Sequence, residues 1–116
     1  MASATAQRIK FEELRSLAFG SITGPYVGVG APFANPVRLL KVTNLTDADL
    51  VISFNGITDQ DIVSAHGGFV YDYASNKMDP ANHLEQPVGD RIYVRVLTTL
   101  PTDGGVFVTV IYADNK

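Results

Sequence analysis

The stretch 91–112 constrains this chain most. It reads R-I-Y-V-R-V-L, then T-T-L-P-T-D-G-G, then V-F-V-T-V-I-Y. Ile92, Val94 and Val96 alternate with Arg91, Tyr93 and Arg95, the period-two pattern of a half-buried strand. Beyond Pro101 and Asp103-Gly104-Gly105, a second alternation sets Val106, Val108, Val110 and Tyr112 against Phe107, Thr109 and Ile111. Gly between them supplies positive φ, so the pair is predicted to form an antiparallel hairpin. The second strand is apolar on both faces. It should therefore sit centrally in a sheet or be covered by a partner.

The remaining segments repeat that theme. Residues 37–43 alternate Val37, Leu39 and Lys41 with Arg38, Leu40 and Val42, and after a tight N-L-T-D-A-D connection Leu50, Ile52 and Phe54 alternate with Val51, Ser53 and Asn55. Asn55-Gly56 is the strongest short hairpin signal, and it leads into a short strand in 57–63. Gly67-Gly68 opens 69–74, where Phe69, Tyr71 and Tyr73 share a face, and 75–82 reads as loop. The stretch 24–36 (G-P-Y-V-G-V-G-A-P-F-A-N-P) holds too much Gly and Pro for a regular ladder and reads as an irregular crossing over a sheet edge. Seven or eight short strands with frequent turns predict an all-β fold, an antiparallel β-sandwich or jelly roll. Residues 19–116 form that domain. Residues 1–18 read as a short N-terminal arm: 1–7 is flexible, and 8–18 is either a short amphipathic helix with Phe11, Leu14 and Leu17 at helical spacing or the approach to a strand begun by Leu17, Phe19 and Ser21.

Composition narrows the function. The 116 residues suffice for one domain with a modest core. Charged residues are 18% of the chain, below the roughly 25% usual for globular domains, which suggests surface shielded by other chains. A net charge of −3 argues against general nucleic-acid binding. No apolar run approaches a membrane span, and the first residues lack the apolar core of an export signal. Without cysteine there are no disulfides or thiolate metal sites. Charge is uneven along the chain: five bases against two acids give +3 over residues 1–41, and one base against eight acids gives −7 over 42–90. A surface bearing Arg8, Lys10 and Arg15 would then meet one bearing Asp47, Asp49 and Asp59 in another copy, head to tail; ordinary solvated loops account for the same split.

No catalytic motif appears. Asp47, Asp49, Asn55, Asp59 and Asp61 offer oxygen ligands without calcium-loop spacing. His66 and His83 lie in no metal pattern, and Ser64 near His66 lacks an orienting acid. Gly28 and Gly30 are not a phosphate loop, since neither Lys-Ser/Thr nor a helix start follows. No metal and no cofactor is expected. Arg91, Tyr93 and Arg95 line one strand face, with Tyr71 and Tyr73 predicted nearby. Such a face suits a protein interface or, alternatively, sugar binding by stacking. The predicted interface therefore comprises Arg8, Lys10, Phe11, Leu14, Arg15, Tyr71, Tyr73, Arg91, Tyr93 and Arg95.

Several stretches carry a resemblance: F-E-E-L-R-S-L-A-F-G-S-I-T-G-P-Y, P-V-R-L-L-K-V-T-N-L-T-D-A-D-L-V-I-S-F-N-G-I-T-D, Y-D-Y-A-S-N-K and Y-V-R-V. Over about 11–112, the chain resembles small structural proteins encoded in the head and neck gene blocks of tailed bacteriophages. The resemblance implies a non-enzymatic virion protein, made in the host cytoplasm, that assembles in symmetric copies. Its role would be capsid decoration (cement) or a ring at the head-to-tail junction. The implied partners are further copies of itself and major capsid, portal or neck subunits. The alternative is a carbohydrate-binding β-sandwich module using Tyr71, Tyr73, Tyr93 and the neighbouring arginines.

Overall fold

Alternation of period two becomes strand wherever one face can be buried, and nearly every such segment does so here. The structure is a computed structural model that describes residues 8–73 and 85–114. The readings made of residues 1–7, 75–82 and His83 fall outside the described residues. Among the described residues nine strands run in chain order: β1 (Arg8–Phe11), β2 (Arg15–Ala18), β3 (Val27–Gly28), β4 (Leu39–Asn44), β5 (Leu50–Ser53), β6 (Asp61–Val63), β7 (Gly68–Asp72), β8 (Tyr93–Val96) and β9 (Gly105–Asp114). One 3-10 turn, Phe19–Ser21, follows β2.

The strands make two antiparallel sheets packed as a sandwich. Sheet A has the order β1-β9-β4-β7, with β2 sharing the same edge of β9 as β1; sheet B has the order β3-β8-β5-β6. Leu40, Val42, Val106, Val108 and Val110 of sheet A pack in one cluster with Leu50, Ile52, Val63, Val94 and Val96 of sheet B and with Ile92 just before β8. Ile22, Val29, Phe33 and Val37 from the connections complete the buried cluster.

The 91–112 hairpin is not formed. β8 lies in sheet B between β3 and β5, while β9 lies in sheet A between β1/β2 and β4. Residues 97–104 therefore arch from one sheet to the other. The inner residues of both strands are valines, and they bury best by facing each other across the core, not by lying side by side. The 45–49 connection arches the same way from β4 to β5, and the two arches interlock. Asn44 is fully buried and donates through Nδ2 to the Ala48 and Ser64 carbonyls, while its Oδ1 accepts from the Thr46 amide and hydroxyl. Asp47 accepts from the amide and hydroxyl of Thr102 in the other arch. Those bonds hold its carboxyl below the usual range. Gly104 has φ +82°, and a Cβ there would lie 2.0 Å from the Leu45 carbonyl oxygen. The Asn55-Gly56 signal does join paired strands, β5 with β6.

The segment 8–18 is strand and not helix. Glu12 donates its amide to Val110, continuing the β1 register, yet Arg15 pairs with Val108. Glu13 and Leu14 thus stand opposite Thr109 alone, a β-bulge. The extra residue shifts the alternation: Glu12 and Arg15, three apart, both face inward, while Phe11 opposite Ile111 faces outward and Leu17 opposite Val106 faces the core. The arm read from the sequence is therefore, from Arg8 onward, an edge of sheet A.

Val94 and Val108 are fully buried. Val94→Asp or Val108→Asp is expected to abolish cooperative folding. An unpaired buried charge costs several kcal/mol against a total stability of about 5–15 kcal/mol. Circular dichroism melts of both variants measure this.

Candidate interface on the sheet faces

The ten residues read as an interface fall in four places. Arg8, Lys10 and Phe11 lie on β1, exposed along the edge of sheet A. Leu14 protrudes from the bulge, 57% exposed. Arg15 does not reach the surface. Its partner position is Val108, so its side chain points inward, and the bulge turns Glu12 to the same side. Arg15 Nη2 meets Glu12 Oε1 at 2.7 Å, with the two side chains 8% and 7% exposed. The guanidinium also donates to the carbonyls of Ala31 at 2.7 Å and Pro32 at 3.0 Å, and it lies over the Phe33 ring. Glu12 in turn accepts from the Ala34 amide and Asn35 Nδ2.

This cluster clamps the Gly/Pro-rich crossing. Residues 27–33 run along β8 as an irregular edge, with Val29 donating to Ile92 O and Phe33 to Asp90 O. Arg15 joins that edge of sheet B to the β2 edge of sheet A. The two glycines of Gly-Val-Gly each make room for an arginine. A Cβ on Gly30, at φ +69°, would lie 2.6 Å from Arg15 Cγ, and one on Gly28 would lie 2.2 Å from Arg91 Cζ.

Arg91, Tyr93 and Arg95 do share the outer face of sheet B, as the alternation requires. They are occupied by their neighbours. Arg91 donates to Gly30 O and covers the Tyr93 ring. Arg95 grips Asp59 with Nε at 3.2 Å and Nη2 at 2.7 Å, and it stacks on Tyr26, whose hydroxyl also donates to Asp59. The hydrogen bonds from Arg95 and Tyr26 hold the Asp59 carboxyl below its ordinary value.

Tyr71 and Tyr73 are not on that face. Tyr71 pairs with Leu40 in register, so both tyrosines point toward the core, where Phe54, Phe69, Tyr71 and Tyr73 form a chain of ring contacts. Burial and the hydrogen bond to Asp61 push the Tyr71 phenol up, and burial with the nearby Asp90 charge pushes Tyr73 up to about 12. Sugar stacking would need these rings at a surface.

The acidic residues that suggested calcium are engaged in loop bonds: Asp49 accepts from the Ala65 amide, and Asn55 Oδ1 accepts from the Ile57 and Thr58 amides. Among the described residues no group of three or more His, Asp or Glu is placed to hold a metal ion. His66 occupies a turn at φ +57°.

The face that sequence reading did not single out is the outer side of sheet A. Register puts Ile9 beside Ala113, Phe11 beside Ile111, Ile111 beside Leu39, and Lys41 between Thr109 and Val70. Ile9 is 73% exposed, Phe11 65% and Val70 53%, while Leu39, Phe107 and Ile111 are half-buried. Among the described residues no element packs over this face. A depression of about 260 Å³ at its end is lined by Ile9, Leu39 and Ile111 together with Arg8, Arg38 and Asp72. Its signal in the sequence was the second apolar face of β9, joined by Leu39 and Phe11.

Comparison with known proteins returns no matching family model, no matching curated protein and no matching solved structure.

Removing either partner of the clamp leaves a buried charge or buried donors unpaired, so Arg15→Ala or Glu12→Gln is expected to cost about 3–5 kcal/mol by chemical denaturation. The pH dependence follows from Glu12. Burial alone would raise its pKa, but bonds from Asn35, Arg15 and the Ala34 amide outweigh this and hold it below 4.5. A depressed folded value means its stabilisation is present above about 4.5 and is lost as pH falls through the folded value. Wild type should lose stability over that acid range by more than Glu12→Gln does.

Proposed function

We propose that this chain is a non-enzymatic structural subunit of a tailed-phage virion. It assembles with its own copies and with capsid, portal or neck subunits, as a head decoration or a head-to-tail ring component. The observation that carries this reading is the uncovered apolar outer face of sheet A. Exposed contiguous apolar surface of this kind marks a protein contact site, and Phe11 is the type of aromatic anchor on which binding energy concentrates. The low charge content of the chain agrees, because interface cores are depleted in charged residues. The resemblance to head and neck proteins supplies the virion setting.

The contact is apolar first and charged second. Arg15 is spent inside the clamp, and Asp47, Asp49 and Asp59 are spent on Thr102, the Ala65 amide and Arg95. Arg8, Lys10 and Lys41 border the apolar strip and suit orientation of a partner more than affinity.

Ile9→Ser with Phe11→Ser tests this. Both side chains are exposed, so the thermal transition should move by no more than a few degrees. Each apolar side chain buried at an interface contributes about 1.5 kcal/mol or more, so association should weaken roughly a hundredfold. Sedimentation velocity over a concentration series, with incorporation into particles as a second readout, decides the matter. Unchanged association and incorporation would overturn the reading.

A further inference from the structure

We propose that the side of β7 turned away from β4 pairs antiparallel with β7 of a second copy, joining two A sheets into one. Tyr73 donates to Arg38 O and Asn44 donates to Gly67 O, so on β7 residues 67, 69, 71 and 73 direct their backbone groups at β4. Residues 68, 70 and 72 then direct theirs away from β4. Gly68 and Val70 are exposed, and among the described residues no strand pairs with β7 on that side.

Three other edges carry the usual defences against such pairing, and the β2 edge is tied to the 24–36 crossing through Arg15. β1 bears Arg8 and Lys10, β3 is two residues long and follows Pro25, and β6 is three residues long and begins with Asp61. β7 reads Gly-Phe-Val-Tyr-Asp, with no Lys, no Pro and no break in its register with β4.

Its sequence suits a two-fold partner in one register. Strands pair through their outward-directed residues, and the alignment that matches all of 68, 70 and 72 sets Val70 opposite Val70 and Gly68 opposite Asp72. Val70 then exchanges two backbone hydrogen bonds with its counterpart. Each Asp72 carboxylate faces a glycine, which has no side chain, and not its own copy. On the inner side Phe69 comes opposite Tyr71, an aromatic cross-strand pair. An open groove of about 410 Å³ beside β7, lined by Ile62, Val63, Ser64, Gly68, Phe69 and Tyr71, offers these rings space. The apolar outer faces of both copies become one surface through Val70. This pairing uses the rim of the sheet, and it stands whether or not the chain belongs to a virion.

Two variants test it in the full chain. Val70→Lys sets two ammonium groups directly opposite each other; the thermal transition should hold while dimer association falls about tenfold or more. Val70→Cys introduces the sole cysteine of the chain. In the proposed register the two Cα atoms are about 5.5 Å apart, within disulfide range. Asp72→Cys would place its Cα atoms about 14 Å apart, four residues out of register. Mild oxidation should therefore link the first variant rapidly and the second slowly or not at all. A wild type that stays monomeric at all concentrations, unchanged association in Val70→Lys, or equal linking rates for the two cysteine variants would overturn the proposal.

Discussion

The buried pair of Arg15 and Glu12 is the contact on which this sandwich closes. Two open sheets expose an edge on each flank, and a segment as rich in Gly and Pro as 24–36 cannot supply a regular ladder to cover one. The guanidinium solves this with its forked geometry, taking the Ala31 and Pro32 carbonyls and the Glu12 carboxylate together. Glu12 reaches on to Ala34 and Asn35. A lysine would carry the same charge without the fork. The bulge at Glu13 and Leu14 is what lets both partners point inward, so edge, crossing and ion pair depend on one local irregularity.

That irregularity also explains where sequence reading went astray. Phe11, Leu14 and Leu17 repeat every three residues, but the bulge between β1 and β2 shifts the alternation, so Phe11 faces outward beside Ile111 and Leu17 faces the core beside Val106. Periodicity is blind to a bulge. The hairpin over 91–112 fails for a different reason. Alternation and turn chemistry identify β8 and β9 well, and Ile92, Val94, Val106 and Val108 are core as their spacing requires. Whether the turn keeps both strands in one sheet or arches between two depends on partners distant in sequence: β4 claims one side of β9, and β5 claims one side of β8. The all-β class and the strand faces were legible locally; the topology was not.

The candidate site divides in the same way. Alternation places Arg91, Tyr93 and Arg95 on one outer face, but it cannot show that Asp59, Tyr26 and Gly30 already satisfy the two arginines. Phe69, Tyr71 and Tyr73 do share a face, and the pairing of Tyr71 with Leu40 makes it the inner one. The exposed strip on sheet A draws Ile9 and Phe11 from one end of the chain, Leu39 from the middle and Ile111 from the other end. It exists only after folding, and the clamp that fixes β2 also keeps β1 in place to contribute its share.

In the assembly proposed above, that strip is covered. Hydroxyl-radical footprinting by mass spectrometry, on dilute protein and on the assembled form, reports side-chain exposure residue by residue. Assembly through sheet A predicts strong protection of Ile9, Phe11 and Phe107, with Tyr26 and Tyr93 on the outer face of sheet B unchanged. Protection of Tyr26 and Tyr93 while Phe11 and Phe107 stay reactive would contradict it.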